Sequence, residues 1–133
     1  MVFISVTRLR LRSARFLIPF LWAVLFIRRQ LVRAEGNRGF QLRNEPQMTF
    51  WTLSAWADEA AMKAFMLSGP HRKSMPKLME WCDEASVGHW LQETADLPDW
   101  KEAHRRMVEE GRISKVKYPS AAQVAKQIAG PRD

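Results

Sequence analysis

Three histidines and a single cysteine carry most of the chemistry this 133-residue chain can offer. His71, His89 and His104 fall on three separate segments without HxH, HExxH or CxxC spacing, so no structural zinc is predicted. Cys82 follows Trp81 on a predicted helix with no base near it in sequence, and reads as a small buried hydrophobe rather than a nucleophile. A lone cysteine excludes an intrachain disulfide and fits a reducing, cytoplasmic compartment. His71 comes after Gly69-Pro70, at a predicted break between helices, so its ring is expected to be free of any helix face. Arg72 and Lys73 beside it could meet the carboxylates of an anionic ligand. A histidine at a helix junction can equally serve structure alone by bonding a backbone carbonyl, and the residues leave both uses open. His89 alternates with Val87 and Leu91 and reads as a core histidine, while His104, on a polar helix, is expected to be exposed. No nucleophile elbow, P-loop or dinucleotide fingerprint occurs, and no two carboxylates are spaced to oppose one another across a cleft.

These residues must be positioned by a regular alternation of elements. Val2–Leu11 reads as a strand from its period-2 pattern, with Arg8, Arg10 and Arg12 recurring on one face of its outgoing end. Ser13 is a candidate cap for the next helix, and Gly36 suits the left-handed position that would end it. Gly39 to Arg43 is a short strand. The turn at Asn44-Glu45-Pro46-Gln47 joins it to Thr49–Trp56, an aromatic and β-branched strand with no breaker. Asp58 caps a helix carrying Met62 and Phe65, Gly69-Pro70 is expected to stop it, and a second short helix turns Leu78, Met79 and Trp81 inward. Ala85 to Leu91 is a further strand. The order β-α-β-β-α-β is the split βαβ of ferredoxin-like α+β domains. Beyond it Asp99 and Glu102 form a capping box for a helix ending at Gly111, with Ala103 and Met107 facing inward. The division expected is residues 1–95 as the ferredoxin-like domain and 96–133 as a C-terminal helix and tail, packed on it or extending from it.

Charge is distributed unevenly. Residues 1–44 hold nine Arg against one acid, Glu35, whereas the remainder holds 12 basic and 13 acidic residues. No nucleic-acid-binding signature accompanies this excess, so the partner expected is an anionic small molecule or a membrane surface rather than nucleic acid. Phe16 to Ile27 is the most apolar run, but twelve residues make about 18 Å of helix where a span needs about 20 residues. A helix apolar on nearly every side must bury more than one face: against a sheet on one side, and a partner subunit or lipid headgroups on the other. Phe50 and Trp56 lie on one side of the Thr49–Trp56 strand, and Trp51 and Leu53 on the other. With both sheet faces apolar, a homodimer that packs two sheets together is predicted.

The run TFWTLSAWADEAAMKAFMLSGPHRKSMPKL resembles the central block of the DUF3291 proteins. It is more distantly similar to spheroidene monooxygenase, a haem-containing oxygenase whose block shares the positions held here by Trp56, Met62, Phe65, Pro70 and His71. Both groups resemble the dimeric α+β barrel superfamily, which includes antibiotic-biosynthesis and haem-degrading monooxygenases. The resemblance implies a monooxygenase-like protein acting on an apolar or polycyclic small molecule. It implies haem with His71 as axial ligand, Arg72 and Lys73 on the propionates, and Trp51, Trp56 and Phe65 walling the ring. Two alternatives accompany it: an oxygenase without cofactor, and a non-catalytic binding module of the same fold, held at a membrane surface by its basic N-terminal third. The haem degraders' Asn on the first strand is replaced by Ser5 and Thr7, and the one Tyr, Tyr118, lies in the tail.

Overall fold

In the computed structural model, which describes residues 1–132, five strands form one antiparallel sheet in the order β2-β3-β1-β4-β5. The strands are β1 (Val2–Leu11), β2 (Asn37–Glu45), β3 (Thr49–Trp56), β4 (Cys82–Gln92) and β5 (Arg112–Ile113). The helices are α1 (Leu17–Arg33), α2 (Glu59–Met66), α3 (Gly69–Trp81), α4 (Trp100–Glu110) and the short α5 (Ala121–Val124). β1 to β4 with their crossover helices make the ferredoxin-like βαββαβ unit, and β5 adds a short edge beside β4.

The local signals account for most boundaries. Ser13 accepts a hydrogen bond from the Arg15 amide and opens a 3-10 turn leading into α1. Asp58 and Asp99 accept from the amides of Ala61 and Glu102 at 2.8 Å, capping α2 and α4. The Glu102 carboxylate, expected to complete a capping box, is engaged by Arg105 and Arg106 on its own helix. Gly36 lies at φ +85°, and a Cβ there would come within 2.6 Å of the Ala61 Cβ, so the turn from α1 into β2 needs glycine.

Gly69-Pro70 begins α3 instead of stopping α2. Ser68 holds the extended N-cap conformation and Pro70 sits in the first turn, where its missing amide is harmless. His71 is therefore inside a helical turn, not in a break. Cys82 opens β4 rather than closing a helix. Its thiol is pushed up to about 12 by burial and by the neighbouring Asp83 charge, which removes it as a nucleophile.

The two sheet faces are covered separately. Ile4, Val6, Leu53, Ala55, Trp51 and Trp90 point to one face and pack against Ala103 and Met107 of α4. Gly88 lets that helix approach closely, since a Cβ there would lie 3.2 Å from the Met107 Cα. The bare sheet face from which sheet-to-sheet pairing was predicted is thus closed by the chain's own helix. The tail, expected to pack on the domain or extend from it, packs on it. Gln123 bonds both the amide and the carbonyl of Ala85 and the carbonyl of Ser114, and Ser120 donates to Glu84 at 2.7 Å. Beneath it Arg8 and Glu84 form a buried ion pair at 2.8 Å, joined by Arg10 at 3.0 Å. On the opposite face α1, α2 and α3 form a helical layer resting on two apolar clusters, one around Phe20, Leu11 and Leu78, the other around Phe3, Trp56 and Met62. No helix among the described residues is long and apolar enough to cross a membrane.

Candidate functional site

The floor of the site is set by strand register. Side chains directly opposite one another share a face, so His89, Ser5, Ser54 and Phe40 form one row across the sheet, and Val87, Thr7, Thr52 and Leu42 the next. The rows beyond are bulky: Phe3 and Trp56 on one side, Leu9 and Phe50 on the other. The helical layer rests on those bulky rows, with Phe20 against Phe50 at 4.6 Å between ring centroids. Over the small hydroxyl residues between them it leaves a cavity of about 200 Å³. The roof is Val24 and Ile27 of α1, Phe65 and Met66 of α2, and His71 and Met75 of α3. Ser54 Oγ accepts the Trp56 indole N–H at 2.9 Å. The hydroxyls of Ser5, Thr7 and Thr52 make no hydrogen bond among the described residues and remain available to a ligand.

His71 is half-buried in the first turn of α3. Its Nδ1 lies 3.1 Å from the Met66 carbonyl. A carbonyl oxygen can only accept, so Nδ1 carries the proton and Nε2 keeps a lone pair. Burial pulls the His71 pKa below 6.5 and outweighs the Met66 bond, which acts to raise it, so the ring is neutral at pH 7. The His71 ring lies 5.0 Å from Phe65, and Phe65 lies 5.3 Å from Trp56, making one continuous aromatic wall. Gln30 of α1 fixes the turn that carries it. Its Oε1 accepts the His71 amide at 2.9 Å, and its Nε2 donates to the carbonyls of Phe65 at 3.0 Å and Ser68 at 2.8 Å. One side chain thereby ties the end of α2 to the start of α3, adding to the long 3.4 Å bonds that the Phe65 and Ser68 carbonyls already accept from the Ser68 and Arg72 amides.

The other predicted residues divide. Trp56 and Phe65 join His71 at the cavity. Trp51 also borders the cavity, but its ring points to the opposite sheet face, edge-on to Trp100 at 6.2 Å and to His104 at 6.1 Å, and offers no aromatic wall. Arg72 and Lys73 are exposed on the solvent side of α3, with Arg72 donating to the Leu67 carbonyl at 3.3 Å. The cations that do line the cavity are Arg28, Arg43 and Arg112, and of these Arg43 lies 3.6 Å from Glu45. His89, read as a core histidine, is half-buried at the cavity with its ring 5.3 Å from Phe3. Its pKa is lowered by burial and then by the Arg112 charge. His104, expected to face water, is half-buried, with Nε2 2.8 Å from the Ile128 carbonyl. Sequence reasoning missed the hydroxyl floor and the Gln30 clamp. The floor had a signal, the alternation of small hydroxyl residues with large apolar ones in β1 and β3. The clamp had none.

A haem does not fit this arrangement. Cofactor and drug-sized ligand sites span about 300–1,000 Å³, while this cavity holds about 200 Å³. The side chains assigned to the propionates, Arg72 and Lys73, face solvent, and the Trp51 ring is across the sheet. Among the described residues no group of three His, Cys, Asp or Glu side chains is placed to hold a metal ion.

The sheet order with its two crossover helices, and a pocket between sheet and helical layer, define a ferredoxin-like α+β protein. Residues 26–111, more than half of the chain, match the family described as Domain of unknown function (DUF3291), and the chain belongs to that family. Solved structures share its fold. SnoaB, a cofactor-independent oxygenase from Streptomyces nogalater, solved as a single-site mutant, superposes with a TM-score of 0.58 at 15% identity, over 74% of this chain and 98% of that one. A dimeric ferredoxin-like protein of unknown function from Jannaschia sp. CCS1 gives 0.61 at 14% identity, over 69% of this chain and 100% of its own. An antibiotic biosynthesis monooxygenase gives 0.61 at 10% identity, over 71% and 100%. At such identities the likeness carries the fold and nothing finer. No curated protein matches the sequence.

Proposed function

We propose that the cavity binds a one- or two-ring hydroxyarene and that His71 starts its oxidation by O₂ to the quinone, without a cofactor. The observation that carries this is the neutral His71 imidazole, its proton committed to the Met66 carbonyl and its lone pair free, in an apolar cavity with hydroxyls along its floor. The volume sets the substrate class. A cavity of 150 Å³ holds benzene, and about 200 Å³ suits one ring or two fused rings but not a larger polycycle. His71 Nε2 accepts the proton of the aromatic hydroxyl, and the electron-rich arenolate then reduces O₂. One oxygen atom becomes the new carbonyl at the para carbon. The other leaves as water with the hydroxyl hydrogen and the hydrogen of that carbon. The substrate supplies all four electrons that the two oxygen atoms take up, so no external reductant enters. Thr7 and Thr52 can hold the substrate oxygen, and Phe65 and Trp56 offer their faces to its ring. SnoaB, described as a cofactor-independent oxygenase of the same fold, supports this reading. The Jannaschia protein, described as dimeric, supports a homodimer, here through a surface other than the α4-covered face.

The test is oxygen uptake with 1-naphthol under ¹⁸O₂. Wild type should form 1,4-naphthoquinone carrying one labelled oxygen, and His71→Ala should lower the rate by about 10²–10⁴-fold. Haemin should give no Soret band that depends on His71. If naphthol quenches tryptophan fluorescence while oxygen uptake stays at the buffer rate, the oxygenase reading is wrong. The second reading, a non-catalytic binder of apolar ligands, then stands. The methionines lining the cavity, Met62, Met66, Met75 and Met79, favour it, because they reshape around varied ligands.

A further inference from the structure

α1 has two apolar faces, and among the described residues only one is buried against the rest of the chain. Phe20, Val24 and Leu31 turn inward. The outer stripe recurs at helical spacing, with Ile18 75%, Trp22 65% and Val32 62% exposed, and Leu25 and Phe26 completing it. Trp22 and Phe26 meet edge-on at 5.4 Å, so the aromatic surface is presented as one ledge. Arg29 and Arg33 lie at one end of this stripe by the same helical period, with the Arg29 guanidinium 5.8 Å from the Phe26 ring, and Arg15 stands beyond the other end in the 3-10 turn before the helix, its guanidinium 4.7 Å from the Phe16 ring. α1 contains no acidic residue.

We infer that this stripe docks the protein, lying flat, on a bilayer surface bearing anionic phospholipid. An aromatic and aliphatic centre with arginines at both ends matches an interface in which acyl chains lie beneath phosphate headgroups. Helix length excludes crossing: seventeen residues span about 25 Å and the inner face is committed to the sheet. Charge decides against a second copy of the chain. Packing the stripe on itself about a twofold axis brings Arg15 of one molecule against the partner's Arg29 and the partner's Arg33, an unfavourable like-charge juxtaposition. The stripe is also continuous with the cavity mouth. Leu21 of α1 and Leu42 of β2 line the cavity and are 43% and 42% exposed, with Arg28 and Arg43 beside them. Docking in this pose sets the mouth beside the lipid, whatever the cavity does chemically.

Full-length protein should co-sediment with phosphatidylcholine vesicles containing 30% phosphatidylglycerol and not with phosphatidylcholine alone. Binding should fall at least tenfold between 0.1 and 0.5 M NaCl. Arg29→Gln with Arg33→Gln should weaken it about 25-fold, at about fivefold for each arginine. Trp22→Ser with Phe26→Ser should abolish it while circular dichroism stays unchanged, both side chains being at the surface. Failure to sediment with the anionic vesicles, or sedimentation indifferent to both pairs of variants, overturns the inference. So does a dimer by analytical ultracentrifugation that Trp22→Ser with Phe26→Ser converts to monomer, since the stripe would then belong to a second copy.

Discussion

Replacing Gln30 by methionine preserves the length of the side chain and removes all its hydrogen bonds. Four partners lose their bond: the His71 amide, the carbonyls of Phe65 and Ser68, and at a long 3.5 Å the Ser68 hydroxyl, which keeps its own bond to the Ala64 carbonyl. A typical intramolecular hydrogen bond contributes about 1 kcal/mol, and a buried group left unpaired costs about 1–3 kcal/mol. The Ser68 carbonyl sits at an exposed position and rehydrates, and the Phe65 carbonyl keeps the Ser68 amide at 3.4 Å, so the partly buried His71 amide carries most of the loss. The expected loss is about 2 kcal/mol, which for a domain of this size lowers Tm by about 6 °C. A second readout separates positioning from bulk stability. With the α2–α3 junction loosened, water reaches His71, and its pKa should rise toward 6.5 in an NMR titration of the ring. Quinone formation should fall through kcat more than through KM, because the base is misplaced while the cavity remains. A Gln30→Met protein with wild-type Tm and an unchanged His71 titration would show that the clamp does not hold this turn.

The same geometry sets three further outcomes. Gly36→Ala forces a side chain into left-handed backbone within 2.6 Å of the Ala61 Cβ, and should cost about 2 kcal/mol or more in urea unfolding. Burial raises the Glu84 pKa, but hydrogen bonds from Arg8 and Ser120 and the charges of Arg8 and Arg10 outweigh it, so the folded value lies below 4.5. Its stabilisation is therefore complete above about pH 4.5 and is lost as pH falls through the folded value. Glu84→Gln should flatten that acid limb and cost about 2–4 kcal/mol at pH 7. Thr7→Leu places a larger apolar side chain in the middle of the cavity floor, so it should keep or slightly raise Tm while lowering naphthol affinity at least tenfold.

Local chemistry made much of the fold legible. Thr49–Trp56 is bounded as its composition indicates, because no breaker interrupts the strand and Asp58 caps the helix after it. Gly69-Pro70 was ambiguous by nature: the same pair can end one helix or open the next, and Ser68 in an extended N-cap conformation decides for opening. Period-2 alternation already separated Trp51 from Trp56. Only the family resemblance set both around one ring, and in the structure the Trp51 ring packs on the side that α4 covers. The docking of α4 was not legible, since a stripe of Ala103 and Met107 says that a helix has a buried face but not which surface buries it. His71 stood out by type and neighbours. Its pairing with Gln30, 41 residues earlier, depends on the packing of α1 against α3 and has no trace in spacing.

The closure of one sheet face by α4 has a consequence for how this protein can change. Ile4, Val6 and Leu53 carry the cohesion of the molecule on that side. Three of the residues that alternate with them, Ser5, Thr7 and Thr52, are thereby released from holding the strands together. A swap at any of those three positions alters what the hollow accepts without dismantling the scaffold, whereas Ser54 must stay to accept the Trp56 indole N–H. Related chains could therefore diverge in diet while keeping the same skeleton.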